Sequence, residues 1–370
     1  QLLEGHLEGR PDLSSDPELA QAASLLARAL LLIERDHEAI AAADRALAAA
    51  EVLELTPTIV DALVTKGTAL GHPGRLVEAR LLLEGAIALA DRLDIAHSAV
   101  RGRNNLAHIF GTSDPPATKR AVAEAYEIAK RTGDRAMAMI PAINLASWHV
   151  FSLDFEQMER LLSDPIVQNP PDQLLSGFTI SRAQAAWMRG EAEASLALYE
   201  QALGLVAGEG DPLLVISREG VMAEMALVRG ELEESFESAM ELNRGGWNAV
   251  QSGLGPALWS LTLLGDRTRI PALVEVIAAY PRLLPRWSEF WEMIADPAVD
   301  PTTRRAAVFE LVDTFEQSGL NQWAIIVLAA AAQFSSRADP HREEFVAAAR
   351  QRCDDKRLAG IQGLLDRYVA

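Results

Sequence analysis

The chain has a single cysteine, Cys353, among its 370 residues. One cysteine can form no disulfide within the chain and cannot build a cysteine cage around a metal ion. Such low cysteine usage is typical of a reducing compartment, so we expect a cytoplasmic protein. No apolar run reaches the roughly 18 residues that a membrane-spanning helix needs, and we expect no membrane partner.

Basic and aromatic residues are also scarce. The chain holds 34 lysine and arginine residues against 52 aspartate and glutamate residues, which gives a net charge of −18. This charge disfavours binding to nucleic-acid phosphates and to anionic membranes. Aromatic residues make up only 6% of the chain, but the hydrophobic fraction of 49% argues against disorder. We therefore expect a folded, acidic protein that does not bind nucleic acid.

The sequence lacks the motifs of the common enzyme classes. Lys66-Gly67-Thr68 has the wrong order for a phosphate-binding loop, and His37-Glu38 lacks the second histidine of a zinc-binding helix. No Gly-x-Ser-x-Gly sequence is present, and the histidines form no pair at helical spacing. We predict no catalytic site, no metal and no cofactor, so any catalytic module would lie outside this chain.

Small residues recur along the chain at a nearly constant interval. The successive steps are 40, 40, 39, 37 and 40 residues. A period of this length is typical of an α-solenoid, in which stacked pairs of helices contact only their neighbours. We call each pair a repeat, its first helix the A helix and its second the B helix. We predict an all-α solenoid in which the A helices carry the six anchor residues Ala27, Gly67, Ala107, Ala146, Ala183 and Ala223.

The spacing of glycines and alanines supports this helical pattern. Gly74, Gly190 and Gly230 each follow an anchor by seven residues, where a glycine can end the A helix. Ala39 and Ala46 place small side chains seven residues apart on a B helix, which lets two helices approach closely. We predict six repeats between residues 16 and 243 and a weaker seventh over residues 246–280.

Two prolines near residue 283 interrupt the period and predict the end of the array. We expect a lead-in over residues 1–15, the array over 16–285 and an atypical helical cap over 286–370. Four helices are predicted within the cap, at about 301–320, 321–336, 340–352 and 355–368. Trp287 and Trp291, four residues apart, are expected to fix the interrupted segment onto the last regular repeat.

The stretch from Leu63 to Ala86 resembles a tetratricopeptide repeat, with a large–small pair in the A helix, a glycine turn and spaced alanines in the B helix. Leu106-Ala107 and Leu145-Ala146 repeat the pair. The run from Asp61 to Leu70, followed by Asn104-Asn-Leu-Ala, is similar to the C-terminal arrays of bacterial adenylate/guanylate cyclase-like regulators that contain ATPase modules. Lys66 and Arg182 depart from this pattern, because the repeat places large apolar residues there.

The resemblance implies a right-handed solenoid whose A helices line a concave groove. It also implies which positions contact a ligand. Asn105 and Asn144 occupy the same repeat position and form a polar row, with Thr65 before them and Ser181 after them. The amide side chains of this row can both donate and accept hydrogen bonds. The implied groove residues are Arg101, Asn104, Asn105, His108, Asn144, Ser147, Gln184 and Trp187.

Each groove residue also has an alternative role. The amides and His108 could bond neighbouring helices instead of a ligand, whereas Arg101 could pair with a carboxylate or a phosphate. Trp148 and Trp187 could stack on a ligand or belong to the core. Burial or exposure of these side chains decides between the two interpretations.

We expect a non-catalytic binding or scaffold module that takes up a protein, a peptide or another part of its own parent chain. The chain begins with Gln1 rather than methionine, which favours a piece of a larger signalling protein. The alternative is a small-molecule sensor with a closed pocket around Trp148 and Trp187. The ligand and the oligomeric state stay open.

Overall fold

A computed structural model describes residues 13–206, 212–245, 247–279 and 286–369. Every regular element among these residues is a helix, which confirms the predicted all-α fold. The chain divides into two compact units, residues 1–142 and residues 143–370. We call them the N-terminal unit and the C-terminal unit and describe each by itself. Most of the predicted lead-in and the predicted end of the array lie outside the described residues.

Residues 13–132 of the N-terminal unit form three helix pairs. They are α1 (Pro17–Leu32), α2 (Asp36–Val52), α3 (Thr56–Gly71), α4 (Leu76–Arg92), α5 (Ala96–Phe110) and α6 (Pro115–Thr132). Each helix packs on the next, and the A helices α1, α3 and α5 also pack on one another. This is the neighbour-to-neighbour packing of a helical-repeat solenoid. Helix α7 (Arg135–Phe151) begins in this unit and ends in the C-terminal unit.

The C-terminal unit contains the later repeats and the C-terminal helices. The repeats comprise α8 (Phe155–Leu162), α9 (Asp172–Arg189), α10 (Ala192–Leu205), α11 (Pro212–Arg229), α12 (Leu232–Leu242), α13 (Trp247–Leu264) and α14 (Ile270–Ala279). The C-terminal helices are α15 (Arg286–Ala295), α16 (Pro301–Gln317), α17 (Asn321–Phe334), α18 (Arg342–Lys356) and α19 (Ala359–Leu364). The last four confirm the helices predicted from residue 301 onward.

The anchor residues lie where the period predicts them. Each stands on an A helix, and all six are buried. Ala107 and Ala146, on α5 and α7, are 5% and 0% exposed. Small side chains at these positions let neighbouring helices pack closely. The spacing in the sequence therefore reports real helix packing in both units.

The turn after the A helix has a fixed backbone geometry. The residue seven positions after the anchor has a positive φ at Glu34, Gly74, Leu153, Gly190 and Gly230. Glycine adopts this left-handed conformation without strain, whereas glutamate and leucine do so at some cost. The turn that the three glycines predicted therefore also occurs in two repeats where the residue is not glycine. The third repeat departs from it and turns through a short 3₁₀ helix.

The C-terminal helices pack along the turns that end the A helices, which we call the turn edge. The side-chain amide of Asn321 donates to the carbonyl oxygen of Ser152, after α7, at 2.8 Å. Helix α19 packs on α9 through Gly360. Tyr368 and Gln333 lie against the turns after α11 and α13. Within the C-terminal unit these helices therefore run across several repeats in addition to following the last one.

The two tryptophans of α15 are core residues of the C-terminal helices. Trp287 and Trp291 are fully buried and stack on each other. The Trp287 ring lies 5.0 Å from that of Phe315 and 5.2 Å from that of Trp323, between ring centroids. Trp291 contacts Phe334. Helix α15 packs on α14 of the last repeat as well as on α16 and α17, so the prediction that these two rings fix the interrupted segment onto that repeat stays a prediction.

Candidate functional site

Polar side chains join successive A helices in the N-terminal unit. The bonded partners stand 36 to 40 residues apart, which is about one repeat. They therefore occupy similar positions on neighbouring A helices. We call this surface the A-helix polar face; it consists of Ser24, Arg28, Asp61, Thr65, Thr68, Arg101 and Asn105.

Arg101 is the central residue of this face. Its guanidinium lies 2.7 Å from the Asp61 carboxylate and donates to the Thr65 hydroxyl at 3.1 Å. The side chain is 10% exposed, and this burial lowers the pKa of Arg101 to about 10 although Asp61 acts in the opposite direction. The terminal nitrogens of Arg101 are thus engaged by α3. Its predicted role as a ligand contact stays a prediction.

Arg28 is a cation beside this ion pair. It stands one helical turn after Ser24, whose hydroxyl donates to Asp61 at 3.3 Å. The guanidinium is partly buried and makes no ion pair with any described residue. Its charge is close enough to contribute to the lowered pKa of Arg101. Arg28 can therefore offer hydrogen-bond donors to an incoming anionic or carbonyl group.

Two other predicted residues of the third repeat, Asn105 and His108, contact α3 or the residue that follows it. The Asn105 amide donates to the Thr68 hydroxyl at 2.9 Å, and Asn104 is buried. The rings of His108 and His72 meet edge to face at 5.9 Å. His72 in turn lies 2.7 Å from the Asp36 carboxylate through Nδ1. For Asn105 and His108, the contacts are those of the interhelix alternative.

The predicted residues of the C-terminal unit fall into two groups. On α7, Ser147 donates back to the carbonyl of Ile143 at 3.2 Å, and Asn144 is partly buried. On α9, Ser181 makes the same type of bond to Gly177 at 3.1 Å. Serine hydroxyls bonded within their own helix are common and carry no ligand signal. Gln184 and Trp187 make contacts to other helices.

Gln184 belongs to a polar triad, with Glu224 and the buried Tyr199, that was not predicted from the sequence. Its amide donates to the Glu224 carboxylate at 2.7 Å, and the Tyr199 hydroxyl donates to the same group. Burial raises the pKa of the Glu224 carboxyl, although these two hydrogen bonds act in the opposite direction. Burial likewise raises the pKa of Tyr199.

A sequence signal for this triad was present. Glu224 and Gln184 both stand directly after an anchor, 40 residues apart. Arg28 occupies the same position after Ala27. Two polar residues at this position in successive repeats, such as Gln184 and Glu224, predict a bond between neighbouring A helices.

The tryptophans proposed as stacking residues are both buried. Trp187 is 8% exposed and meets Trp259 edge to face at 5.7 Å. Trp148 is 7% exposed and meets Phe151 in the same way at 6.0 Å. Aromatic pairs of this geometry are typical of a core. These contacts support the core interpretation of the two rings.

The described residues were also searched for metal-binding clusters and for helices that could span a membrane. No group of three or more histidine, cysteine, aspartate or glutamate side chains among them could hold a metal ion. Cys353 is buried, which raises the pKa of its thiol to about 12. In the described part of the chain, every helix is too short or too polar to cross a bilayer.

Comparisons with known proteins add no family assignment. A scan against protein-family models finds no match, and a search of curated proteins finds no significant relative. The fold and the contacts described above therefore carry the functional argument by themselves.

Proposed function

We propose that this chain is a non-catalytic helical-repeat module that binds a protein, a peptide or another segment of its own parent chain. The binding surface is the A-helix polar face. The proposal includes the resemblance to tetratricopeptide arrays and a role as the cytoplasmic regulatory part of a bacterial cyclase- or ATPase-type signalling protein. A solenoid of this kind presents side chains from several A helices to one extended ligand.

The observation that carries the proposal is the state of Arg28. The Asp61 and Arg101 charges satisfy each other at 2.7 Å, whereas Arg28 beside them makes no ion pair with a described residue. An arginine donates well to carboxylates because its planar group matches their geometry. A partner with an acidic side chain or a carboxyl end would supply the missing acceptor.

Neighbouring groups would fix the direction of an extended partner. Thr65 and Asn105 occupy the same position of the second and third repeats, two residues before their anchors. Thr65 keeps one hydroxyl lone pair, and Asn105 keeps its amide oxygen and one N–H, beyond the bonds they make within the chain. A peptide backbone that runs across the A helices would bond these atoms. The surface would then bind the peptide backbone at the second and third repeats and a negatively charged group of the peptide at the first repeat.

Selection of random peptides displayed on phage against the full chain tests this proposal. The affinity of a selected peptide is then measured by fluorescence anisotropy for the wild type and for Arg28→Ala. We expect a loss of about tenfold or more, because a charge-assisted hydrogen bond is removed. Circular dichroism checks that the variant is folded.

Arg92→Ala is the matched control. Arg92 is an exposed arginine at the end of α4, outside the polar face, and its removal changes the net charge equally. Its loss should leave the affinity unchanged. Selected peptides that bind the Arg28→Ala variant as tightly as the wild type would contradict the proposal.

A further inference from the structure

A cleft in the N-terminal unit lies apart from the A-helix polar face. It is formed by the B helices α4 and α6 with α5 beneath them, and its volume is about 360 Å³. The uncharged part of its wall is apolar and is formed by Ile87, Ala88, Leu106, Pro116, Ala117 and Ala121. Pockets for small ligands span roughly 300–1,000 Å³, so this cleft suits one or two side chains.

The charges in the cleft are layered. Arg103 lies beneath, with a side chain that is 11% exposed, whereas Asp91 and Glu124 above it are 44% and 50% exposed. Arg103 donates to Asp91 at 2.8 and 2.9 Å and to Glu124 at 3.0 Å. Each of its three nitrogens therefore donates within the chain, while the more exposed carboxylates keep lone pairs for a ligand.

A second arginine that lines the cleft has a similar arrangement. Arg80 lies over the Phe110 ring at 4.1 Å and donates to Asp114 at 3.0 Å. Glu84 is 3.6 Å from Arg80 and is 52% exposed. The rim of the cleft thus presents Glu84, Asp91 and Glu124 to solvent, with their countercharges below.

We propose that this cleft docks a basic peptide segment of a partner protein. An apolar side chain of the segment fills the space between Ile87 and Leu106, and flanking lysines or arginines pair with Glu84, Asp91 and Glu124. The argument for this occupant is charge complementarity, because the exposed rim is acidic and the chain carries a net charge of −18. Such a field also accelerates encounter with a basic partner.

Arg120 provides a test of whether the bound segment is positively charged. It lines the cleft on α6, is exposed, and makes no ion pair with a described residue. A basic segment in the cleft would meet its positive charge unfavourably. Removing Arg120 should therefore strengthen binding, whereas removing Glu84 should weaken it.

The probe is a fluorescein-labelled peptide, Lys-Leu-Leu-Lys-Lys-Leu-Leu-Lys, titrated against the full chain. Its counterpart has glutamate in place of each lysine. We expect the basic peptide alone to bind. Glu84→Gln should weaken binding roughly two- to fivefold, since a partly exposed charge pair is lost, and Arg120→Gln should tighten it by a similar factor. Ala88→Trp, at an exposed position on the wall, should abolish binding by filling the cleft.

Glu127→Gln separates this site from general attraction to an acidic protein. Glu127 is exposed on α6 but does not line the cleft, so its removal should leave the affinity unchanged. Equal losses in the Glu84→Gln and Glu127→Gln variants would overturn the proposal, as would unimpaired binding to Ala88→Trp or no binding to the wild type. The Arg28→Ala variant should bind the probe normally, which keeps this result separate from that of the A-helix polar face.

Discussion

Gly360 lies directly against the main chain of Trp187. A methyl group built on Gly360 would come within 2.1 Å of the Trp187 carbonyl oxygen and 2.7 Å of the Gly190 nitrogen. Backbone atoms on both sides cannot move aside as a flexible side chain could. This contact joins α19 to the end of α9 at the turn edge.

Substitution of Gly360 should therefore loosen the C-terminal helices. We expect Gly360→Val to lower the free energy of unfolding by about 1–3 kcal/mol, the range for an overpacked site. Gly363→Ala is the matched control on the same helix, because a methyl group there meets nothing within 4 Å. Alanine favours a helix over glycine, so the control should be neutral or stabilising in thermal denaturation. A Gly360→Val variant as stable as the control would contradict the contact.

The Asp61–Arg101 ion pair should contribute to stability through burial. We expect Asp61→Ala to cost about 2–4 kcal/mol, since it leaves the Arg101 charge buried without its partner. Asp44→Ala breaks a more exposed pair, in which Asp44 is 52% exposed and 2.7 Å from Lys66, and should cost less than about 1 kcal/mol. Urea denaturation of both variants gives the comparison. Equal losses would show that Arg101 is not held as described.

The Glu224 carboxyl predicts a particular pH dependence. Its pKa is raised in the folded chain by burial, so the folded state holds this proton more tightly than the unfolded state does. The stabilisation is therefore complete below the ordinary glutamate pKa and is lost as the pH rises through the raised value. Glu224→Gln should flatten this fall in the free energy of unfolding, measured between about pH 4 and pH 8.

Glu219→Gln, on the same helix and with a side chain that is 43% exposed, is the control for this measurement. It should keep the pH dependence of the wild type. The assignment to Glu224 would be wrong if the Glu224→Gln variant lost stability with pH as steeply as this control.

Glu54 offers a stabilising substitution. It is exposed and has a φ of 53° after α2, a conformation that costs an ordinary residue roughly 1 kcal/mol or more. We expect Glu54→Gly to raise the melting temperature by relieving this strain. Glu51→Gly, within α2, should lower it by weakening the helix. Calorimetry of the two variants gives opposite signs if the turn is as described.

The repeat itself was predictable from the sequence because it rests on local packing. Ala107 and Ala146 are small because neighbouring helices approach closely there, and this requirement recurs once in each repeat of about 40 residues. The period also relates positions on neighbouring A helices. Asp61 and Arg101 stand 40 residues apart, so the period alone could have paired them.

The turn edge could not be predicted in the same way. Asn321 and Ser152 bond across 169 residues, and such a distance leaves no periodic trace. The tryptophans of α15 had the helical spacing of a packed pair, but spacing does not say which helices cover them. Polar side chains posed a similar problem, because Asn105 has the same amide whether it meets Thr68 or a ligand.

A photo-cross-linking experiment tests the proposed binding face most directly. Benzoylphenylalanine replaces Leu25, which is 54% exposed and precedes Arg28 by about one turn, or Val77, which is 78% exposed on α4. Each protein is irradiated with a peptide selected on the wild type. We expect a cross-link from position 25 and none from position 77. Capture at position 77 with none at position 25 would contradict binding at the A-helix polar face.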